Sequence, residues 1–185
     1  MMYELPTAFV FGGDTYEIRS DYRAILDIIT ALNDPELDSQ EKMIVSLGIF
    51  YPRFDEMNVT DYQEAIRKCF WFINGGKDNS EMDAQPHKLI DWEKDFRYIA
   101  SPINKAIHTD IRAVEYCHWW TFLSYFDDIG ECTLSQIVHI RDLKARHKPL
   151  DKQDREWYRK NRHLVDMETH YTNAENEILR KWGGM

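Results

Sequence analysis

The sequence is poor in cysteine. Its three thiols, Cys69, Cys117 and Cys132, are an odd number and form no CxxC pair. Reduced thiols in a cytosol fit that usage better than a disulfide framework. Long hydrophobic runs are missing as well. Uninterrupted apolar stretches, such as those within Ile44–Tyr51, are only a handful of residues long, far short of the roughly 20 residues a bilayer span needs. The opening MMYELPTAF lacks a basic start followed by a long apolar segment, so a secretory signal is not expected. Positive charge is not in excess. The net charge of −9 argues against general nucleic-acid binding. No internal repeat and no low-complexity tract is visible. What is present is enough to build a core: 185 residues, 43% hydrophobic and 14% aromatic, the size of one domain or one domain with an appendage. A soluble, intracellular, globular protein is the expectation.

Charge is unevenly spread. Residues 1–132 carry 12 Lys and Arg against 24 Asp and Glu, a net of −12, and residues 133–185 carry 11 against 8, a net of +3. Within Arg141–Arg162 there are 9 basic and 4 acidic residues. An acidic body with a basic C-terminal segment points to self-association or to a partner dock, or else to solvated helical faces of mixed charge.

The pattern along the chain predicts a mostly α protein with one short N-terminal β-hairpin. Phe9-Val10-Phe11 and Thr15–Arg19 flank Gly12-Gly13-Asp14, and the glycines supply the positive φ of a tight turn. Ser20 reads as the N-cap of a helix with Ile25, Leu26, Ile29 and Leu32 at helical spacing, stopped by Asn33-Asp34-Pro35. A second helix starts at Ser39 and ends at Tyr51-Pro52. Thr60-x-x-Gln63 reads as a capping box opening a third helix, closed by Asn74-Gly75-Gly76. Residues 1–76 form a hairpin-plus-helices unit. The polar stretch 77–87 reads as a linker, and 88–185 as a helical part bearing the basic segment, the alternative being one compact domain. Phe96, Ile99, Ile103 and Ile107 mark a further helix in which Pro102 should introduce a kink or break. Val114–Phe126 reads as an aromatic helix. Thr133-x-x-Gln136 opens another, Asp151 caps a charged helix containing Trp157, and Thr172-x-x-Glu175 precedes a short last one.

A search for chemistry returns little. No phosphate-binding glycine loop, GxSxG elbow, HExxH or EF-hand loop is present. Glu115-x-x-His118 has the spacing of half a carboxylate-bridged metal site, and no second copy faces it. His163 and His170 lie seven apart and fit a charged surface equally well. Cys117 beside His118 reads as a buried structural thiol. Asp91 and Asp95, one helical turn apart, read as favourable charge at a helix N-terminus. No metal, no cofactor and no catalytic residue is expected. The aromatic helix remains. Trp119 and Trp120 are adjacent, so they diverge by about 100°. One should enter the core, and the other should pack elsewhere or serve as an interface anchor.

The opening YELPTAFVFGGDTYEIRSDYRAIL resembles the start of many phage tail-assembly proteins. Asp95 to Ile99, Cys117-His118-Trp119-Trp120-Thr121-Phe122, Ile137-Val138-His139-Ile140-Arg141 and the basic Arg141–Arg162 together resemble the phage gene-product-fifteen family of Gram-positive siphophages. The His-Trp-Trp-x-Phe block is the most specific part, and the resemblance covers nearly the whole chain. Ser101-Pro102 departs from the smoother run of that family. The resemblance implies a gene just upstream of the tape-measure gene. Its product would be a non-enzymatic tail-assembly chaperone in the bacterial host cytoplasm, absent from the mature virion. The alternative is a structural virion component such as a tail completion or head–tail connector protein. The implied partner is the tape-measure protein, with the tail-tube protein or a second tail-assembly chaperone as further possibilities, and neither nucleic acid nor membrane. On this reading Trp119, Trp120 and Phe122 are the apolar anchors, and Arg141, Arg155 and Arg159 are the charges beside them.

Overall fold

The computed structural model describes residues 4–77 and 88–167. Strands β1 (Ala8–Phe11) and β2 (Asp14–Glu17) pair antiparallel, Phe9 opposite Tyr16 and Phe11 opposite Asp14. Gly12 and Gly13 make the turn at φ 63° and 91°, values open to glycine without strain. Seven α-helices follow among the described residues: α1 (Tyr22–Asn33), α2 (Ser39–Phe50), α3 (Tyr62–Ile73), α4 (Phe96–Ile107), α5 (Trp119–Asp127), α6 (Thr133–Ala145) and α7 (Lys152–Val165). The mostly α reading with an N-terminal hairpin is the observed fold. The stretch 78–87 and the third capping box at Thr172 lie outside the described residues, as does His170.

Helix α1 packs chiefly on α2, and α6 on α7. A single core holds side chains from both sides of residues 78–87: Phe9, Ile25, Ile28, Leu47, Phe50 and Phe72 from one, Ile99, Ile103, Trp119, Phe122 and Leu134 from the other. Full burial of each such aliphatic or Phe side chain is worth about 1.5–3 kcal/mol.

Several local expectations are corrected. Asp21, not Ser20, caps α1, its carboxylate accepting from the Arg23 N–H at 3.0 Å. Ser20 is buried instead and shares a hydrogen bond with the Tyr116 hydroxyl. The Thr60 box does not form. Asn58 caps a short 3-10 turn at Val59–Asp61, and α3 grows directly from it. Helix α6 begins after Cys132, whose N–H donates to Ser135 Oγ, one residue before the expected cap. Pro102 lies inside a continuous α4. Its missing N–H removes one bond, at about 3 kcal/mol or more, and the full burial of Ile99 and Ile103 on either side offsets that cost. The aromatic helix starts at Trp119, five residues later than the periodicity predicts. Residues 114–117 run as extended chain or bend because they bond to the start of α1: Tyr22 N–H donates to Cys117 O at 2.9 Å. Glu115 and His118 therefore share no helix face.

Candidate functional site

The Cys117–Phe122 block is built as a knot between three parts of the chain. Trp119 N–H donates to Ser20 O at 2.7 Å, and Cys117 N–H to Asp21 Oδ2 at 2.9 Å. His118 caps α5 with its ring: Nδ1 accepts from the Trp120 N–H at 3.1 Å. With Nδ1 an acceptor, Nε2 carries the proton and donates to Pro6 O at 3.0 Å. Burial holds the His118 imidazole below its ordinary pKa, against the opposing pull of the Pro6 carbonyl. Both indoles serve the end of α3. Trp119 Nε1–H donates to Ile73 O and Trp120 Nε1–H to Phe72 O, each at 2.8 Å. These are two of the last four carbonyls of a helix, which have no intrahelical partner.

Trp119 is 1% exposed and Phe122 fully buried, the latter stacked on Tyr22 at 4.7 Å between ring centres. Neither offers surface to a partner in this fold, which corrects their reading as interface anchors. Their indole and phenyl groups are taken up by the core. Trp120 is half-buried, stacked on Phe72 and edge-on to Trp71. It also roofs Gly76 (φ 87°), where an added Cβ would lie 3.0 Å from its ring.

Arg141 corrects the expectation of a rim charge. It is 5% exposed, and its guanidinium is fully committed. It pairs with Asp95 through both end nitrogens and donates to the carbonyl oxygens of Leu89 (2.9 Å), Leu164 (2.8 Å) and Val165 (2.8 Å). Asp95, read from sequence as helix-terminal charge, makes no side-chain cap and is instead the buried half of this pair. Asp166 adds to the clasp, accepting from Tyr158 and Arg162 and pairing with Lys144. Despite the cost of partial burial, these donors hold its carboxyl at about 2. Arg155 and Arg159 are exposed on α7, as a surface charge requires. The six expected site residues are therefore not brought together. Three lie in the core or the clasp, Trp120 closes α3, and two lie on an outer helix.

The surface that sequence reasoning missed is an apolar groove between α1 and α4, about 410 Å³ in volume. Tyr22, Leu26, Trp92 and Phe96 form its floor. Arg23 and Arg112 line the rim with Asp27 and Glu93. A signal was available. The apolar positions of α1 are too many for one face, and the structure buries Ile25 and Ile28 while leaving Leu26 and Ile29 half-covered. Leu26 and Ile29, three residues apart, form a second, half-covered stripe beside the buried Tyr22, Ile25 and Ile28. Among the described residues no three His, Cys, Asp or Glu side chains gather as a metal-binding group, and no helix is long and apolar enough to cross a membrane.

Fold and site together define a mostly helical protein with one core, an N-terminal hairpin, a histidine-capped Trp-Trp helix and an open apolar groove. Residues 1–167 match the family model described as Bacteriophage Gp15 protein, and the chain belongs to that family. No curated protein and no solved structure matches the chain.

Proposed function

We propose that this bacteriophage protein is a non-enzymatic tail-assembly chaperone that holds the tape-measure protein soluble during tail morphogenesis. The observation that carries the reading is the α1–α4 groove, with its Tyr22, Leu26, Trp92 and Phe96 floor and its rim of both charge signs. An amphipathic helix lays an apolar stripe of i, i+3, i+4 and i+7 residues into such a groove, and a tape measure is a long helix with stripes of that kind. The net charge of −9 would raise the solubility of the complex. The tail-tube protein would displace the chaperone as the tube polymerises, so the protein works in the host cytoplasm and leaves before the virion matures. Isolation of the protein from infected cells through an affinity tag tests this. The tape-measure protein should co-purify, and mass spectrometry of purified virions should lack this chain. Stoichiometric amounts in virions would instead favour the structural reading, a tail completion or head–tail connector protein.

A further inference from the structure

The chain carries two exposed surfaces of opposite sign that no contact within the described residues joins. The first is the outer face of α7. Lys152, Arg155 and Arg159 recur at three and four residues, with Lys160 beside them, and Glu156 is the only acid among them. Four basic groups less one acid give +3. All five are exposed, and among the described residues none of the four bases makes an ion pair. The opposite face of α7, with Asp154 and Val165 buried, is turned inward. Asp154 accepts from Gln136 at 2.9 Å, so α7 is seated on α6 with its basic side outward.

The second surface is a groove of about 410 Å³ along β2. Asp14, Glu17 and Glu56 line it against the single base Arg53, a balance of −2. Its wall is the half-buried ring of Tyr16, backed edge to face at 6.1 Å by the buried Tyr51. Carboxylates around aromatic rings suit guanidinium and ammonium groups, through charge-assisted hydrogen bonds and cation–π contact. The outer edge of β2 is unpaired among the described residues, so a seated partner would also cover an open strand edge.

We infer that the basic face of α7 docks in the β2 groove of a second copy of this chain. Charge complementarity selects that occupant, since the acidic body and the basic helix are carried by the same molecule. The contact is heterologous: the helix of one copy enters the groove of the next. Repeated, such a contact closes a ring or runs on as an open array. The inference does not rest on the chaperone reading.

Sedimentation velocity of the full chain over a range of concentrations tests it. Wild type should associate at 50 mM salt and dissociate toward monomer at 1 M, where the Debye length has shrunk to about 3 Å. An α7 variant, Arg155→Glu with Arg159→Glu, should weaken association at least about tenfold. A groove variant, Asp14→Lys with Glu17→Lys, should do the same. Mixing the two variants should restore association, because the acidic helix of one then meets the basic groove of the other, while the remaining helix and groove are unchanged. Circular dichroism matching wild type confirms that the variants fold, and Arg155→Gln with Arg159→Gln gives a milder second pair of substitutions. Wild type that stays monomeric at all concentrations, association indifferent to salt and to either variant, or a mixture that fails to associate would each overturn the inference.

Discussion

Replacing Arg141 by methionine is expected to destabilise the protein by about 3–5 kcal/mol, the range for breaking a buried ion pair from one side. The structure says why the loss should fall there. A guanidinium has five N–H groups, and Arg141 places all five, on Asp95 and on the carbonyls of Leu89, Leu164 and Val165. Methionine keeps much of the stem but returns nothing to those acceptors. Asp95, 1% exposed, would be left with only the Asp91 N–H at 3.0 Å as a side-chain partner. Arg141→Lys keeps the charge with three donors in place of five, and should fall between wild type and the methionine variant. Asp95→Leu combined with Arg141→Met removes the stranded charge and should cost less than either single change. Urea unfolding followed by tryptophan fluorescence measures this. With a slope of about 1–3 kcal/mol/M, the midpoint for Arg141→Met should drop by at least about 1 M. A drop under about 0.2 M would show that water reaches Asp95 in solution, and would refute the account of the clasp.

Three further expectations follow from the same geometry. His118 is held neutral by burial, so its folded pKa lies below its unfolded value of about 6.5; the unfolded chain takes up the proton more readily, and stability present above that pH is lost as pH falls through the folded value. Melting curves between pH 5 and 7.5 should show this loss, and it should flatten in His118→Asn, whose side chain still caps a helix. Cys69 is buried with its thiol pushed up to about 12, and burial also raises Cys117, so iodoacetamide on the folded protein should modify the half-buried Cys132 first; rapid labelling of Cys69 would contradict the core assignment. Gly76→Ala forces a side chain into φ 87° and against Trp120, and should cost about 1 kcal/mol or more with a change in tryptophan emission.

What was legible in the sequence was local. Gly12-Gly13 between alternating residues marked the hairpin, and periodicity located the helices. The misplaced features all depend on partners distant in the chain. Residues 114–117 look helical by composition but bond to Ser20–Tyr22, which lie 96 residues away in the Cys117–Asp21 contact. Asp95 and Arg141 are 46 residues apart, and no spacing rule links them. A basic residue in a basic segment reads as surface charge until its acid is found. Trp119 and Phe122 read as interface anchors from sequence because an aromatic run suits an exposed hot spot as well as a core. Trp119 is held by the Ile73 carbonyl at the end of α3, and Phe122 by its stack on Tyr22, and only the folded chain brings either pair together. Arg155 and Arg159 could be read as exposed because nothing apolar shares their face of α7.

Co-expression with the tape-measure protein tests the central claim most directly, with the soluble fraction of the tape measure as the measurement. Wild-type chain should keep it soluble, while Leu26→Glu, which puts a charge on the floor of the α1–α4 groove, should fold normally and lose most of that effect. Tape-measure protein that aggregates equally with and without wild-type chain would contradict the chaperone reading. Rescue by Leu26→Glu equal to that by wild type would contradict the assignment of the groove.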